Sequence, residues 1–262
     1  MRRYNFFIGL GSRTMGFFSF LGGLFTLAIQ SFYLVFIPPF QKDRVVEQIK
    51  KAGYDSLPIV SLVALFIGFI FALQTAYFMQ RIGSEIYIAS LVALSVTREL
   101  GPVITALVVA GRVGAAITAE LGSMQVTEQI DALETLATNP LKYLVVPRLL
   151  ALIVVLPLLT LYADAIGIFG SYLICVFKLG ISSSLYMNVT FDALLYKDLF
   201  TGLFKTIFFG MIIAFVSCYE GFNVEGGAEG VGQATMRSVV TTFIMIIIAD
   251  CFFTAVFYFI FP

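Results

Sequence analysis

Two adjacent charged residues, Arg98 and Glu99, lie inside an apolar stretch that is long enough to cross a membrane. Within a bilayer each charge costs several kcal/mol unless it is paired or faces a cavity. An arginine there can hold an anionic group by charge-assisted hydrogen bonds. Gly101 and Pro102 follow directly, and proline removes a backbone donor and bends a helix. We therefore predict a polar point in a substrate cavity just before a structural bend, with a purely structural charge pair as the alternative.

Small residues recur at every fourth position after this predicted bend. They are Ala106, Ala110, Gly114, Thr118 and Gly122. Such a stripe lets two helices approach closely. We interpret it as a packing surface, in which Gly111 and Gly114 are structural, and Arg112 lies off the stripe.

An acidic amphipathic segment follows the stripe. Its apolar positions are Val126, Ile130, Leu133 and Leu136 or Ala137, and its acidic positions are Glu128, Asp131 and Glu134. This spacing predicts a short helix, which Asn139-Pro140 is expected to end. An acidic face suits an anionic membrane surface poorly. We therefore expect the helix to dock on a soluble partner.

The composition requires a membrane protein. Of 262 residues, 60% are hydrophobic and 12% are charged, and the mean hydropathy is +0.97; soluble domains carry about 25% charged residues. The sequence contains no histidine, no Cys-x-x-Cys pair and no Gly-x-x-x-x-Gly-Lys-Ser/Thr run. It therefore predicts no metal site, no bound cofactor, and no ATPase activity of its own. Zero net charge without a basic tract argues against nucleic acid as a partner.

Continuous apolar runs predict an all-α integral membrane fold. The six stretches are Phe17–Ile37, Leu57–Tyr77, Ile86–Ala119, Leu149–Phe177, Leu199–Cys218 and Val239–Phe261. Basic residues flank the first stretch on both sides, so the positive-inside rule favours leaving it in the interface or re-entrant. Gly22-Gly23 and Pro38-Pro39 fit a bent element there. We predict five transmembrane helices, a cytoplasmic N-terminus and a C-terminus on the opposite side.

Other charges also fall inside predicted spans, namely Asp164, Lys205 and Asp250. They are expected to pair with one another or with backbone groups. Together with Glu99 they would suit an ion- or proton-coupled secondary transporter, which is the alternative function. Gly226–Gly232 is interpreted as a tight turn between spans. It lacks the following lysine and the preceding strand that a phosphate-binding loop requires.

Many fixed spacings together resemble the MlaE (YrbE) family of ABC-transporter permeases. The matching motifs are Glu99-Leu100-Gly101-Pro102, Ala110-Gly111-Arg112-Val113-Gly114, Ala119-Glu120-Leu121-Gly122-Ser123-Met124, Glu128-Gln129-Ile130-Asp131-Ala132, Asn139-Pro140, Pro147-Arg148, Gly226–Gly232, Ala234-Thr235 and Asp250. The resemblance covers most of the chain. For residues before about Arg98, the resemblance rests on the pattern of residue types more than on identical residues.

The resemblance implies a single permease domain over residues 1–262. It would comprise an N-terminal interfacial or re-entrant segment (1–56) and a five-span core (57–262) that includes a cytoplasmic coupling helix. It implies a homodimer in the inner (cytoplasmic) membrane, with a periplasmic C-terminus, that moves phospholipids or related lipids between inner and outer membranes. A separate cytoplasmic ATPase would bind ATP and Mg²⁺, and an MCE-domain protein would lie on the opposite face. A small accessory cytoplasmic protein is also compatible with it.

The resemblance also assigns roles to residues. The coupling helix would cover about Ser123–Ala137. The ATPase-coupling residues would be Glu120, Met124, Glu128, Ile130, Asp131 and Leu133. The substrate-binding residues would be Arg98, Glu99, Arg13 and Arg237.

Overall fold

The computed structural model describes residues 2–38, 41–81 and 83–260, and for residues 2–14, 17 and 260 the description is limited to the backbone. Within these ranges the regular secondary structure is entirely helical. The α-helices are α1 (Arg2–Val35), α2 (Lys42–Ala52), α3 (Leu57–Arg81), α4 (Ile88–Ser95), α5 (Gly101–Val109), α6 (Ala115–Val126), α7 (Gln129–Thr135), α8 (Val146–Phe177), α9 (Ser183–Ala193), α10 (Tyr196–Phe222) and α11 (Gly227–Ile260). The predicted all-α membrane fold is confirmed.

Among the described residues, six helical segments are long and apolar enough to cross a membrane. They are Phe18–Val35, Lys42–Arg81, Glu85–Val126, Leu141–Phe177, Tyr196–Phe222 and Gly227–Phe259. Five of them correspond to the five predicted spans, of which the last is predicted to end at Phe261, outside the described residues. Helix α7 connects the third and fourth segments, and α9 connects the fourth and fifth. The two helices therefore lie at opposite ends of the bundle, which we call the α7 end and the α9 end.

The first segment lies across the bundle instead of along it. Phe20 packs on Tyr219, and Phe32 packs on Phe215, with ring centroids 5.1 and 5.6 Å apart. These contacts are about 18 Å apart along α1 but only about 6 Å apart along α10. Crossing α10 at so steep an angle is typical of an interfacial helix. The interfacial placement itself stays a prediction.

The helix does not break at Gly22-Gly23, because α1 continues from Arg2 to Val35. Gly23 has a different use. The Tyr219 ring occupies the space that a Cβ on residue 23 would need. The structure does not describe Pro39, so the bend expected at Pro38-Pro39 stays a prediction.

The third segment is interrupted twice by π-helical turns, at Val96–Leu100 and Ala110–Gly114. The first turn directly precedes Gly101 and Pro102, where the sequence predicts a bend. An inserted π turn is a common way to accommodate a break in the α-helical hydrogen-bond ladder, and such turns are frequent at functional sites.

Close packing along the small-residue stripe is confirmed. All five stripe residues are buried, and Gly114 and Gly122 face Ser217 and Val224 so closely that a Cβ would come within 3 Å of them. The Thr118 hydroxyl lies 3.0 Å from the Ser217 carbonyl and 2.8 Å from the Ser238 hydroxyl. The stripe therefore fixes α6 against α10 and α11. Gly111 meets only Phe243, at an ordinary distance of 3.8 Å.

Candidate functional site

Arg98 and Glu99 turn to different partners, as their neighbouring positions on a helix require. Arg98 Nε lies 3.5 Å from Asp198 Oδ1, whereas Glu99 Oε2 lies 2.7 Å from Lys205 Nζ. Both partners are on α10, seven residues apart and hence on one face of that helix. Glu99 therefore does not orient Arg98, in contrast to the simplest interpretation of the adjacent pair.

Lys205 is the buried centre of a polar cluster, which we call the Lys205 cluster. Its ammonium group lies 2.7 Å from Glu99, 3.0 Å from Asp250 Oδ1 and 2.7 Å from Thr254 Oγ1. Lys205 itself is only 1% exposed. An ammonium group buried this deeply is tolerable only because two carboxylates and a hydroxyl surround it. The expected pairing of Lys205 with Asp250 is confirmed.

Pro102 explains a fourth contact of this ammonium group. In an α-helix the N–H of residue 102 would donate to the carbonyl of Arg98, but proline has no N–H. Lys205 Nζ lies 3.4 Å from that carbonyl oxygen. The lysine thus supplies a donor where the proline removes one.

The close approach of α10 to the π turn depends on Gly202. A Cβ on this residue would collide with the carbonyl oxygen of Thr97. Gly202 lies between Asp198 and Lys205 on the same face of α10, so its small size lets both charged side chains reach the π turn.

Asp198 has a second role at the start of α10. Its Oδ2 accepts a hydrogen bond from the Leu195 backbone N–H, at 3.3 Å, and so caps the helix. A carboxylate at a helix N-terminus is also favoured by the helix dipole. Asp198 is therefore held in place independently of Arg98, whose side chain remains 42% exposed.

A wall of phenylalanine side chains lies next to the Lys205 cluster. Phe208 and Phe253 are 4.7 Å apart between ring centroids, and Phe204 lies 6.0 and 5.8 Å from Phe253 and Phe257. The site thus combines a few fixed charges with a broad apolar surface, which is the composition of a pocket for an amphiphile.

Asp164 does not join the Lys205 cluster, so the expected pairing is wrong for this residue. Both of its carboxylate oxygens are buried, and neither has a hydrogen-bond partner among the described residues. The carboxyl group fills the space above the Cα of Gly101, where no Cβ would fit. Gly101 is therefore required by contact with α8 as well as by its place beside the π turn.

The structure does not bring the predicted substrate-binding residues together at one point. Arg237 pairs with Glu220 at 3.7 Å near the α7 end, whereas Arg98 pairs with Asp198 at the other end of α10. The two acidic partners are about 33 Å apart along that helix. The Arg13 side chain lies outside the described residues.

The predicted continuous helix over Ser123–Ala137 is wrong, because the chain breaks at Glu128. This residue has φ 58° and Ala137 has φ 55°, a conformation that costs a non-glycine residue about 1–3 kcal/mol. The short helix α7 lies between these two strained positions. They are the two non-glycine residues with positive φ in the described part of the chain.

Helix α7 is anchored by apolar side chains, chiefly the buried Ile130, and leaves its acidic face exposed. Ile130 is 6% exposed and belongs to the main core, against which Met124 and Leu133 also pack. Asp131 is exposed, and Leu136 is 75% exposed. The residues predicted to couple to an ATPase therefore divide into an anchoring group and an exposed group.

Glu120 is not free, because it forms a 2.9 Å ion pair with the deeply buried Arg148. Arg148 also donates to the Leu144 carbonyl at 2.7 Å. The sequence places Arg148 in the Pro147-Arg148 motif without a role. No local sequence pattern predicts that Arg148 is buried. Its ion pair with Glu120 connects the start of α8 to α6.

Two turn predictions also need correction. Asn139 does not end a helix but begins one, since its side-chain oxygen accepts from the Leu141 N–H at 2.9 Å. Within Gly226–Gly232, Gly226 and Gly227 have positive φ, but α11 already begins at Gly227. Most of this motif is therefore helical.

These features define a helical membrane transport subunit, with charges set into an apolar bundle and a short exposed helix at one end. The family model for "Permease MlaE" matches residues 45–256, and the chain belongs to this family of ABC transporter permeases. It is 42% identical over 255 residues to a probable ABC transporter permease protein of Rickettsia conorii, covering 97% of this chain and 98% of the relative.

Other organisms carry similar proteins. A probable ABC transporter permease protein of Synechocystis is 39% identical over 235 residues, covering 90% of this chain and 89% of the relative. A probable ABC transporter permease protein of the alga Porphyra purpurea is 41% identical over 199 residues, or 76% of each chain. The similarity to the Rickettsia conorii protein spans 255 of the 262 residues and so includes the segments that build the Lys205 cluster and α7.

Proposed function

We propose that this ABC transporter permease moves phospholipids or related lipids between the inner and outer membranes, and that Arg98 contacts the lipid headgroup. The observation that supports this proposal is the half-exposed guanidinium group of Arg98, which lies next to the Lys205 cluster. Its ion pair with Asp198 uses Nε, which leaves the two terminal nitrogens free to donate to a phosphate. Arginine recognises phosphate by such paired donors.

The apolar surroundings of Arg98 support a lipid over a small polar solute. The phenylalanine wall formed by Phe204, Phe208, Phe253 and Phe257 gives acyl chains a surface on which to pack. In this proposal the Lys205 cluster does not bind the headgroup directly. It holds the π turn against α10 and so fixes the position from which Arg98 acts.

Helix α7 is the proposed contact for a separate ATPase that binds ATP and Mg²⁺. Its anchoring by Ile130 would transmit a push on the exposed acidic face into α6 and the core. In this proposal two copies of the chain form a homodimer in the inner membrane, with α7 on the cytoplasmic side. An MCE-domain protein then receives the lipid on the opposite side, and a small accessory cytoplasmic protein completes the assembly.

The experiment compares Arg98→Gln with two matched variants in the full complex. Arg98→Gln should weaken phospholipid binding about tenfold or more, since a charge-assisted hydrogen bond contributes about 1.5–3 kcal/mol. Asp198→Asn should weaken binding less, because it leaves the guanidinium group in place. Arg81→Gln removes an exposed arginine that stacks on Tyr77 and should bind lipid as the wild type does. Unchanged lipid binding and transport in a folded Arg98→Gln complex would refute the headgroup contact.

The alternative of a proton-coupled transporter loses its main support. Glu99 and Asp250, two of the acids that it would use, already share the ammonium group of Lys205. Transport that requires ATP and persists with a protonophore would agree with the ABC mechanism. Transport that stops with the protonophore while ATP is present would favour the alternative.

A further inference from the structure

An apolar cavity of about 400 Å³ lies at the α7 end of the bundle, far from the Lys205 cluster. It forms where the end of α1, the start of α2 and the start of α8 meet. Its apolar walls include Val35, Val45, Val146 and Leu150. Helix α1 crosses α10 near this end of the bundle, so the cavity lies where the crossing helix meets α2 and α8.

Two lysines and an amide line this otherwise apolar cavity. Lys42 is exposed, and Lys142 is half-buried and donates to the Pro38 carbonyl at 2.9 Å. The side-chain oxygen of Gln41 is buried and has no donor among the described residues. The cavity thus offers two cations and an unused acceptor beside a space for hydrocarbon.

The nearby surface adds further positive charge. The Arg44 guanidinium lies 3.2 Å from the centroid of the Tyr143 ring, one residue beyond Lys142. Tyr33 on α1 and Phe36, just after its end, are 71% and 79% exposed. Exposed aromatic side chains beside basic ones are typical of the headgroup region of a bilayer.

We propose that this cavity binds an anionic phospholipid of the phosphatidylglycerol type, taken from the leaflet at the α7 end. One acyl chain would lie between Val35, Val146 and Leu150. The phosphate would accept from Lys42 and Lys142, and a headgroup hydroxyl would donate to Gln41. Such a lipid matches the apolar volume, the positive charge and the unused acceptor together.

This lipid is a bound component of the protein and differs from the transported one. The cavity shares no residue with the Lys205 cluster, so the inference does not rest on the proposed transport function. A lipid here would join α1 and α2 to α8. It would thereby hold the crossing helix against the bundle.

The test uses the full chain in nanodiscs with photoactivatable phosphatidylglycerol or phosphatidylcholine, followed by peptide mapping of the adducts. Phosphatidylglycerol should label residues 34–46 and 142–150 in preference to phosphatidylcholine. The double variant Lys42→Gln/Lys142→Gln should reduce this labelling about 10- to 30-fold, because each lysine near a headgroup contributes about a fivefold preference for anionic lipid. The matched control Lys50→Gln removes an exposed charge at the other end of α2 and should label normally.

Two further measurements keep the test decisive. Leu150→Trp, which fills the cavity and keeps both lysines, should also reduce the labelling. Arg98→Gln should leave the labelling intact whether or not transport survives, so the two proposals fail separately. Equal labelling by the two lipids, unchanged labelling in the double variant, or competition by inorganic phosphate as strong as that by phosphatidylglycerol would overturn the inference.

Discussion

Lys205 on α10 lies 3.4 Å from the carbonyl oxygen of Arg98, the group that Pro102 leaves without its α-helical donor. One buried side chain thus supplies a donor at a backbone break and offsets part of the negative charge of Glu99 and Asp250. This contact explains why a Gly-Pro pair and a π turn can exist next to two charges inside an apolar segment. The break and the cluster form one structural unit.

Replacing Lys205 should therefore be costly. Lys205→Met leaves Glu99 and Asp250 close together without a cation, and removing one partner of a buried ion pair costs about 3–5 kcal/mol. The thermal midpoint of the purified protein in detergent should fall strongly. The triple variant Lys205→Met/Glu99→Gln/Asp250→Asn should recover part of the loss. Lys178→Met, at an exposed site near the α9 end, serves as the control, and equal effects of the two lysine variants would contradict this account.

Gly101 and Gly111 should respond very differently to alanine. In Gly101→Ala the new methyl group would collide with the Asp164 carboxyl group, whereas in Gly111→Ala the nearest atom is 3.8 Å away. We expect Gly101→Ala to destabilise the protein by about 1–3 kcal/mol, and Gly111→Ala to change stability by less than about 0.5 kcal/mol. Chemical denaturation in mixed micelles would measure both.

A second substitution tests the cause of the Gly101 effect. Asp164→Ala removes the obstructing group, so Gly101→Ala/Asp164→Ala should be more stable than Gly101→Ala alone. If the double variant shows only the sum of the two single effects, the collision with Asp164 is not the cause.

Arg98 and Arg237 should act independently on lipid binding. Arg98 pairs with Asp198 and Arg237 with Glu220. These acidic partners lie about 33 Å apart along α10, so a single headgroup cannot contact both arginines. In a double-mutant cycle, Arg98→Gln and Arg237→Gln should therefore give a coupling energy below about 0.5 kcal/mol. Equilibrium binding of a fluorescent phospholipid would measure the cycle. A coupling above about 1 kcal/mol would show that both arginines hold one lipid at the same time.

The two kinds of apolar residue in the α7 region should have separable effects. Ile130→Ala removes a buried anchor and should lower both the thermal midpoint of the permease and its stimulation of the partner ATPase. Leu136→Ala removes an exposed side chain and should leave the thermal midpoint unchanged while reducing ATPase binding. Stability and pull-down measurements on the same preparations would compare them. Loss of stability in Leu136→Ala, or normal stability in Ile130→Ala, would contradict the assigned anchoring role.

Local sequence patterns predict the helical spans, the stripe from Ala106 to Gly122 and the pairing of Lys205 with Asp250. Each of these follows from a rule that acts within one helix or from the cost of a charge in lipid. The break at Glu128 was not predictable in this way, since its apolar spacing fits a continuous helix. Only contact of Ile130 with the core decides where the chain must turn.

The sequence by itself determined that the chain is an α-helical membrane protein with charges in costly positions, because apolar length and residue type are local properties. The tertiary structure decided which partner each charge has: Arg98 turns to Asp198, Glu99 to Lys205 and Glu120 to Arg148. Asp164 is left without a partner among the described residues. The first two choices depend on how α10 packs against the π turn, and the third depends on how α8 packs against α6. Such packing joins residues that no sequence period connects.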